Sequence, residues 1–143
     1  MNETYTAKPK LYVGCALTNA PEDFRNNVEE AKVQLGKDWE VMQFLGLQAG
    51  TSADVYNQDI TSNVRTCEGF LAIADHPANG LGWELGVADE RETPTLIVVK
   101  FGAVVSRLLI GASEAREHIQ LQRYEDMSEI PAIAREVLMP MIK

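Results

Sequence analysis

The sequence predicts an α/β fold, a parallel sheet with helices on both faces. Two patterns carry this expectation. Short apolar runs with little polar alternation read as strands buried on both sides. Segments of helical periodicity separate them, giving the order β-α-β-α-β-α-β-α-β-α. The 143 residues, 45% apolar and 24% charged, suffice for one ordinary core and leave no room for two.

The elements follow in order. Residues 1–9 are expected to form a flexible N-terminal segment and 10–143 a single domain. Lys10–Val13 is the first strand and ends at Gly14. Pro21 stands near the start of the first helix, where a missing N–H costs nothing. Glu22 and Asp23 complement its dipole. Phe24, Val28, Ala31 and Leu35 supply the apolar stripe, and Gly36 ends it. Trp39–Leu45 reads as strand two. Tyr56, Ile60 and Val64 space out a second helix from Ala53. Gly69–Ala74 is strand three, followed by a turn-rich loop, Asp75–Gly80. Leu81–Arg91 is helix three and Thr95–Lys100 strand four. Ala103–Ile110 reads as helix four, with Gly111, Ala112 and Ser113 as its exit. Ile119–Tyr124 is strand five, and a closing helix runs from Ser128, with Pro131 in its first turn.

Charge and cysteine usage narrow the function. Thirteen basic against 21 acidic residues give a net charge of −8. That field repels phosphate backbones and anionic lipid, so no nucleic-acid polymer and no membrane partner is expected. A single small anion held by local donors stays compatible with it. Cys15 and Cys67 are too few for a disulfide scaffold, which points to a reduced, cytoplasmic setting. Two histidines and two cysteines lack zinc-ligand spacing, so neither a metal nor any other cofactor is expected. No apolar run reaches membrane-span length, and the polar first ten residues lack the apolar core of a signal peptide.

In an open parallel sheet, ligands bind beyond the carboxyl ends of the strands, where strand order reverses. That directs attention to Gly14–Thr18 and Asp75–Gly82. The segment Gly80-Leu81-Gly82-Trp83-Glu84-Leu85-Gly86-Val87-Ala88 follows a strand and opens a helix. It is not a dinucleotide fingerprint, because its last glycine spacing is three residues and it follows strand three. Its glycines suit close backbone approach to a ligand. Glu84 falls in the first turn of helix three, where plain dipole complementation also explains it. Asp59 lies among Tyr56 and Ile60, and taken alone a solvated helix face explains it better. Tyr12 in strand one doubles as a core aromatic. Cys15, beside Gly14, reads as a small buried residue or a thiol without an evident base partner.

Taken together, Tyr12-Val13-Gly14, a helical Asp59 in Tyr56-Asn57-Gln58-Asp59, and the segment from Gly80 to Ala88 resemble the nucleoside 2-deoxyribosyltransferase superfamily. That superfamily includes the 2'-deoxynucleoside 5'-monophosphate N-glycosidases. The resemblance covers roughly residues 10–124 and implies a flavodoxin-like sheet of order 2-1-3-4-5. It implies that Glu84 is a nucleophile forming a covalent ester with the anomeric carbon of a deoxyribosyl unit. A carboxylate is competent at an oxocarbenium-like centre and splits one substitution into two easier ones. It further implies that Tyr12 orients that carboxylate, that Asp59 handles the substrate's base or sugar hydroxyl, and that Gly14, Gly80 and Gly82 admit the sugar. The implied partners are a deoxynucleoside or deoxynucleotide, a free base, and a second copy of the chain in a homodimer or higher homo-oligomer.

The chain departs from both branches of the superfamily. Six positions before Glu84, transferases carry an acid and the monophosphate branch a serine; here stands Ala78. Asp75, Asn79 and His76 are the nearby substitutes. Cys15 and Leu17 replace a serine and an arginine of the monophosphate branch. Val104–Ala112 resembles that branch, in which Ser106 would meet a phosphate in the neighbouring subunit, with Arg107 beside it; an amphipathic helix with a solvated Arg explains both equally. The expectation is therefore cleavage of deoxynucleosides with transfer of the sugar to another base or to water. Hydrolysis of deoxynucleoside 5'-monophosphates is the alternative, and a non-catalytic nucleotide-binding module on the same fold is the reading of another class.

Overall fold

The computed structural model describes residues 7–43 and 50–142. Five parallel strands form one sheet in the order β2-β1-β3-β4-β5, the order the resemblance implies. They are β1 (Lys10–Cys15), β2 (Glu40–Val41), β3 (Gly69–Ile73), β4 (Thr95–Lys100) and β5 (Ile119–Tyr124). β3 lies at the centre with all five residues buried, as its unbroken apolar run requires. Parallel register sets Tyr12 beside Phe70 and Cys15 beside Ile73.

Side chains alternate across the sheet and divide the core in two. Leu11, Val13, Leu71, Ile73, Leu96 and Val98 face α1 (Glu22–Leu35) and the C-terminal helical segment. Tyr12, Phe70, Ala72, Ile97 and Val99 face the other way, toward Ile60 and Val64 and toward Leu81, Leu85 and Ala88 of α3 (Asn79–Glu90). That two-residue period sends the Tyr12 side chain to the α3 face.

Several elements differ from expectation. β1 runs through Gly14 to Cys15. β2 is two residues long, at the sheet edge, continued by one hydrogen bond from Met42 N to Leu11 O at 2.9 Å. Trp39 packs in the core instead of pairing, and the expected strand's last two positions lie outside the described residues, as do 1–6 of the N-terminal segment. α2 (Ser52–Tyr56) starts with a capping box: the Asp54 N–H donates to Thr51 Oγ1 at 3.1 Å, and the Thr51 N–H to Asp54 Oδ2 at 2.9 Å. It continues directly as a π-helix over Asn57–Val64. α4 spans Arg107–Ala115 rather than Ala103–Ile110. Ser106 caps it by accepting from Leu108 N at 3.1 Å. Upstream, Gly102 turns the chain at φ +89°, and Arg123 Nη1 holds Ala103 O at 2.6 Å, so the segment before the cap cannot be helical. Gly111 therefore lies inside the helix. The closing segment alternates a 3₁₀ turn (Met127–Glu129), α5 (Ile130–Ile133), a π stretch (Ala134–Leu138) and a last 3₁₀ turn (Met139–Met141). Ile130 and Leu138 anchor it, both with no exposed surface. No described helix is long and apolar enough to cross a membrane.

Candidate active site

A cavity of about 600 Å³ opens at the carboxyl ends of β1 and β3. β1 contributes Tyr12, Gly14 and Cys15. The start of α3 contributes Asn79, Gly80, Trp83 and Glu84; the π-helix contributes Asp59, and α1 contributes Lys32. This is the strand-order switch between β1 and β3, the place the topology assigns to a ligand.

Glu84 is buried, 8% exposed, and accepts a hydrogen bond at Oε2 from the Tyr12 hydroxyl. Tyr12, 4% exposed, is held by stacking on Phe70, with ring centres 5.4 Å apart and planes 12° from parallel. One carboxylate oxygen is thus fixed by a rigid donor. α3 begins at Asn79, so Glu84 stands in its second turn and not, as the sequence suggested, in the first. The helix dipole fades beyond the first turn and no longer explains the residue. Burial instead pushes the Glu84 carboxyl up to about 7; the Tyr12 hydrogen bond and the Lys32 charge pull it down, and the Asp59 charge adds to the rise. Burial raises Asp59 as well, against Lys32. Asp59 Oδ1 is buried with no hydrogen-bond partner, an arrangement that costs free energy unless something else fills it. The Tyr12 hydroxyl, raised by burial and by the Glu84 charge, stays a donor. Burial lifts the Cys15 thiol to about 11, which leaves it protonated and poorly nucleophilic at neutral pH.

The structure brings together Glu84, Asp59, Tyr12, Gly14, Cys15, Asn79 and Gly80. Three other sequence candidates lie elsewhere. Asp75 accepts from Lys100 N at 2.9 Å and from the Tyr124 hydroxyl, tying the end of β3 to β4 and β5. It borders a separate cavity between α1 and α5, where His76 packs edge-on against Phe24 at 4.7 Å. Gly82 is exposed and outside the cavity lining. Ser106 is exposed at the start of α4, also outside the lining within one chain. Gly14 is explained by packing: a Cβ there would approach Leu81 Cδ1 and Phe70 Cε2 to 3.0 Å. A Cβ on Gly80 would meet nothing within 4 Å, so its openness belongs to the cavity.

Sequence reasoning missed Lys32 and Trp83. Lys32 reads as a polar residue in the last turn of an amphipathic helix, and nothing local marks it. Trp83 carried a signal: a large aromatic between glycines, 64% exposed, has no role in the core and forms part of the cavity wall. Among the described residues, no group of three or more His, Cys, Asp or Glu side chains is placed to hold a metal.

No protein-family model matches the chain, and no curated protein matches it. Solved structures do. The Clostridium botulinum CMP N-glycosidase BcmB superposes with a TM-score of 0.65 over 88% of this chain and 98% of that one, at 16% identity. The chain shares that enzyme's fold. A conserved protein from Enterococcus faecalis V583 superposes with a TM-score of 0.54, covering 91% and 99% at 15% identity. At these identities the likeness is one of architecture, and the chemistry has to be argued from the cavity.

Proposed function

We propose that this protein cleaves the N-glycosidic bond of 2'-deoxynucleosides, with Glu84 as the nucleophile. The observation that carries this reading is the convergence of Tyr12, Glu84 and Asp59 in one cavity at the sheet's switch point. The motif resemblance to the nucleoside 2-deoxyribosyltransferases and the architectural likeness to an N-glycosidase both support it.

The steps follow from the groups present. Tyr12 fixes Glu84 Oε2 and leaves Oε1 to attack the anomeric carbon. The C1'–O bond forms as the C1'–N bond breaks, and the bonding pair leaves with the base. Asp59, held toward its protonated form by burial, donates a proton to the departing base. A second base or a water then attacks C1' while the Asp59 carboxylate takes up the proton that nucleophile releases, the ester opens, and Glu84 returns as a carboxylate with Asp59 again protonated. Trp83 and Tyr56 offer apolar faces for a base, and Asn79 a hydrogen-bonding edge.

We further propose a homodimer in which α4 of one copy approaches the other's cavity. Phe101, Val104 and Leu108 are 60%, 88% and 79% exposed around Ser106, an apolar surface that a second copy would cover. Light scattering at micromolar concentration should give at least twice the single-chain mass; a single-chain mass would refute the assembly.

The reaction is tested by incubating the protein with a panel of 2'-deoxynucleosides and their 5'-monophosphates, with and without an acceptor base, and separating products by chromatography. Free base should appear, and a new nucleoside when an acceptor is supplied. Absence of base release from every substrate would leave a binding module. A second reading, hydrolysis of a 5'-monophosphate, draws on the name of the CMP N-glycosidase and on Ser106. Cys15, Leu17 and Ala78 remove three contacts of the monophosphate branch, and charge-assisted hydrogen bonds are worth about 1.5–3 kcal/mol each. The unphosphorylated substrate should therefore show the higher kcat/KM. A monophosphate preference that collapses in Ser106→Ala would reverse that choice.

A further inference from the structure

β1 keeps a glycine, Gly14, opposite Ala72 of the central strand. Glycine weakens a strand, because it loses the most chain freedom on folding and brings no side chain to pack. Positive φ is found at Gly50 and Gly102, so the backbone at Gly14 does not call for glycine. Space does. A Cβ there would lie 3.0 Å from Leu81 Cδ1, 3.0 Å from Phe70 Cε2 and 3.1 Å from Phe70 Cζ, each short of the roughly 3.5–4.0 Å at which carbon atoms pack best. The two residues it would press are the ones that hold the candidate nucleophile and its donor. Phe70 is wholly buried, is the register partner of Tyr12 and lies nearly flat against its ring. Tyr12 in turn donates to Glu84. Leu81 is buried three residues before Glu84 on α3, so the two share one side of that helix. Gly14 stands two residues after Tyr12 and therefore on the same face of the sheet. The contacts close a circuit: from Gly14 to Leu81, along α3 to Glu84, across to Tyr12, to Phe70, and back to Gly14.

We propose that Gly14 is a positioning residue for the Tyr12–Glu84 pair: bearing no side chain, it lets Phe70 lie flat on Tyr12 while Leu81 seats α3 close to the same strand. Each neighbour governs one member of the hydrogen-bonded pair. Phe70 sets where the Tyr12 hydroxyl points, and Leu81 sets where the helix brings the Glu84 carboxylate. A close-packed interior passes a displacement on instead of absorbing it, so one added methyl group at Gly14 shifts donor and acceptor relative to each other.

The catalytic meaning of this rests on the reaction proposed above, but the first measurement needs no turnover. Tyrosines labelled with ¹³C at Cζ are followed by NMR, and the Tyr12 signals are identified by their loss in Tyr12→Phe. In Gly14→Ala the Tyr12 ring protons should shift as its contact with the Phe70 ring changes, and its Cζ signal should shift as the hydrogen bond to Glu84 is disturbed. Signals of Tyr124, on the other face of the sheet, should stay in place. With a deoxynucleoside, kcat should fall by about tenfold to a hundredfold, the scale on which a misplacement of up to 1 Å acts, and KM should change less than about threefold. Leu81→Val withdraws the Cδ1 atom that the new Cβ meets. Added to Gly14→Ala, it should raise kcat by at least about threefold and return the Tyr12 signals toward wild type. Should Gly14→Ala fail to fold by circular dichroism, Phe70→Leu breaks the same circuit without adding an atom, and the Tyr12 shift and the fall in kcat are expected there. Unmoved Tyr12 signals in a folded variant overturn the proposal, even if melting falls, because that is the mark of core packing alone. So does a raised KM at unchanged kcat, which would make Gly14 a place of sugar approach. Moved Tyr12 signals in a protein whose wild type releases no base would uphold the packing circuit and sink the reaction.

Discussion

Glu84→Ala is expected to lower kcat/KM for base release by about 10⁴-fold or more, the scale on which deletion of a covalent nucleophile acts. Glu84→Gln should be comparably inactive, because an amide does not form the ester. Retention of near-wild-type release by either variant would remove Glu84 from the mechanism. The same residue makes a stability prediction of opposite sign. The folded protein holds the Glu84 proton more tightly than the unfolded chain, since burial lifts the carboxyl from 4.5 to about 7. Stability from this group is therefore highest below about 4.5, falls as pH rises to about 7, and is level above that. At about 1.4 kcal/mol per pH unit, ionised Glu84 costs on the order of 3 kcal/mol at pH 8. Glu84→Gln, whose amide oxygen still accepts from Tyr12, should melt above wild type at pH 8, and the gap should close at pH 4. Equal melting differences at both values would contradict the burial argument. The wild-type rate should rise with pH as Glu84 ionises and fall again where Asp59 gives up its proton, because the nucleophile must be ionised and the acid protonated.

Asp59→Asn is expected to slow base release by roughly 10²–10⁴-fold, the usual worth of a positioned general acid. The substitution preserves shape and leaves no hydrogen bond of Oδ1 to break, since that atom has no partner. Melting should therefore change little. A deoxyriboside whose leaving group is p-nitrophenolate needs no proton on departure, and with it the loss should shrink to less than about tenfold. Equal losses on both substrates would move Asp59 from proton donor to sugar binding.

The alternation of buried strands and helices was readable because a parallel sheet demands apolar side chains on both faces, as in Gly69–Ile73. Tyr12 and Glu84 were readable through their motifs, but the turn that carries Glu84 was not. Gly80 and Gly82 look like loop residues, and Ala78 offers no side-chain cap, so nothing in the sequence marks Asn79 as the helix start. α4 was misplaced for a related reason. An apolar run from Val104 to Ile110 resembles a helix stripe, while the cap at Ser106 and the distant hold of Arg123 on Ala103 decide the start. The π-helix was hidden, because Tyr56, Ile60 and Val64 fit ordinary helical spacing. Lys32 depends on long-range packing and has no local signature.

The stretch Asn57–Val64 closes wider turns than an α-helix, as in the hydrogen bond from Arg65 N to Ile60 O at 3.0 Å. Its far end is pinned: the Asn63 side chain donates to Gln43 O at 2.6 Å, and Val64 is wholly buried. Asp59 thus aims into the cavity because the chain has slack to spend between Tyr56 and that anchor. Remove one residue between Tyr56 and Asp59 and let the winding tighten toward 3.6 per turn, and each step turns further, leaving Asp59 rotated by some tens of degrees relative to its anchor. The direction of this carboxyl group is written in the number of residues around it, and a length change with no loss of any polar side chain would disarm it.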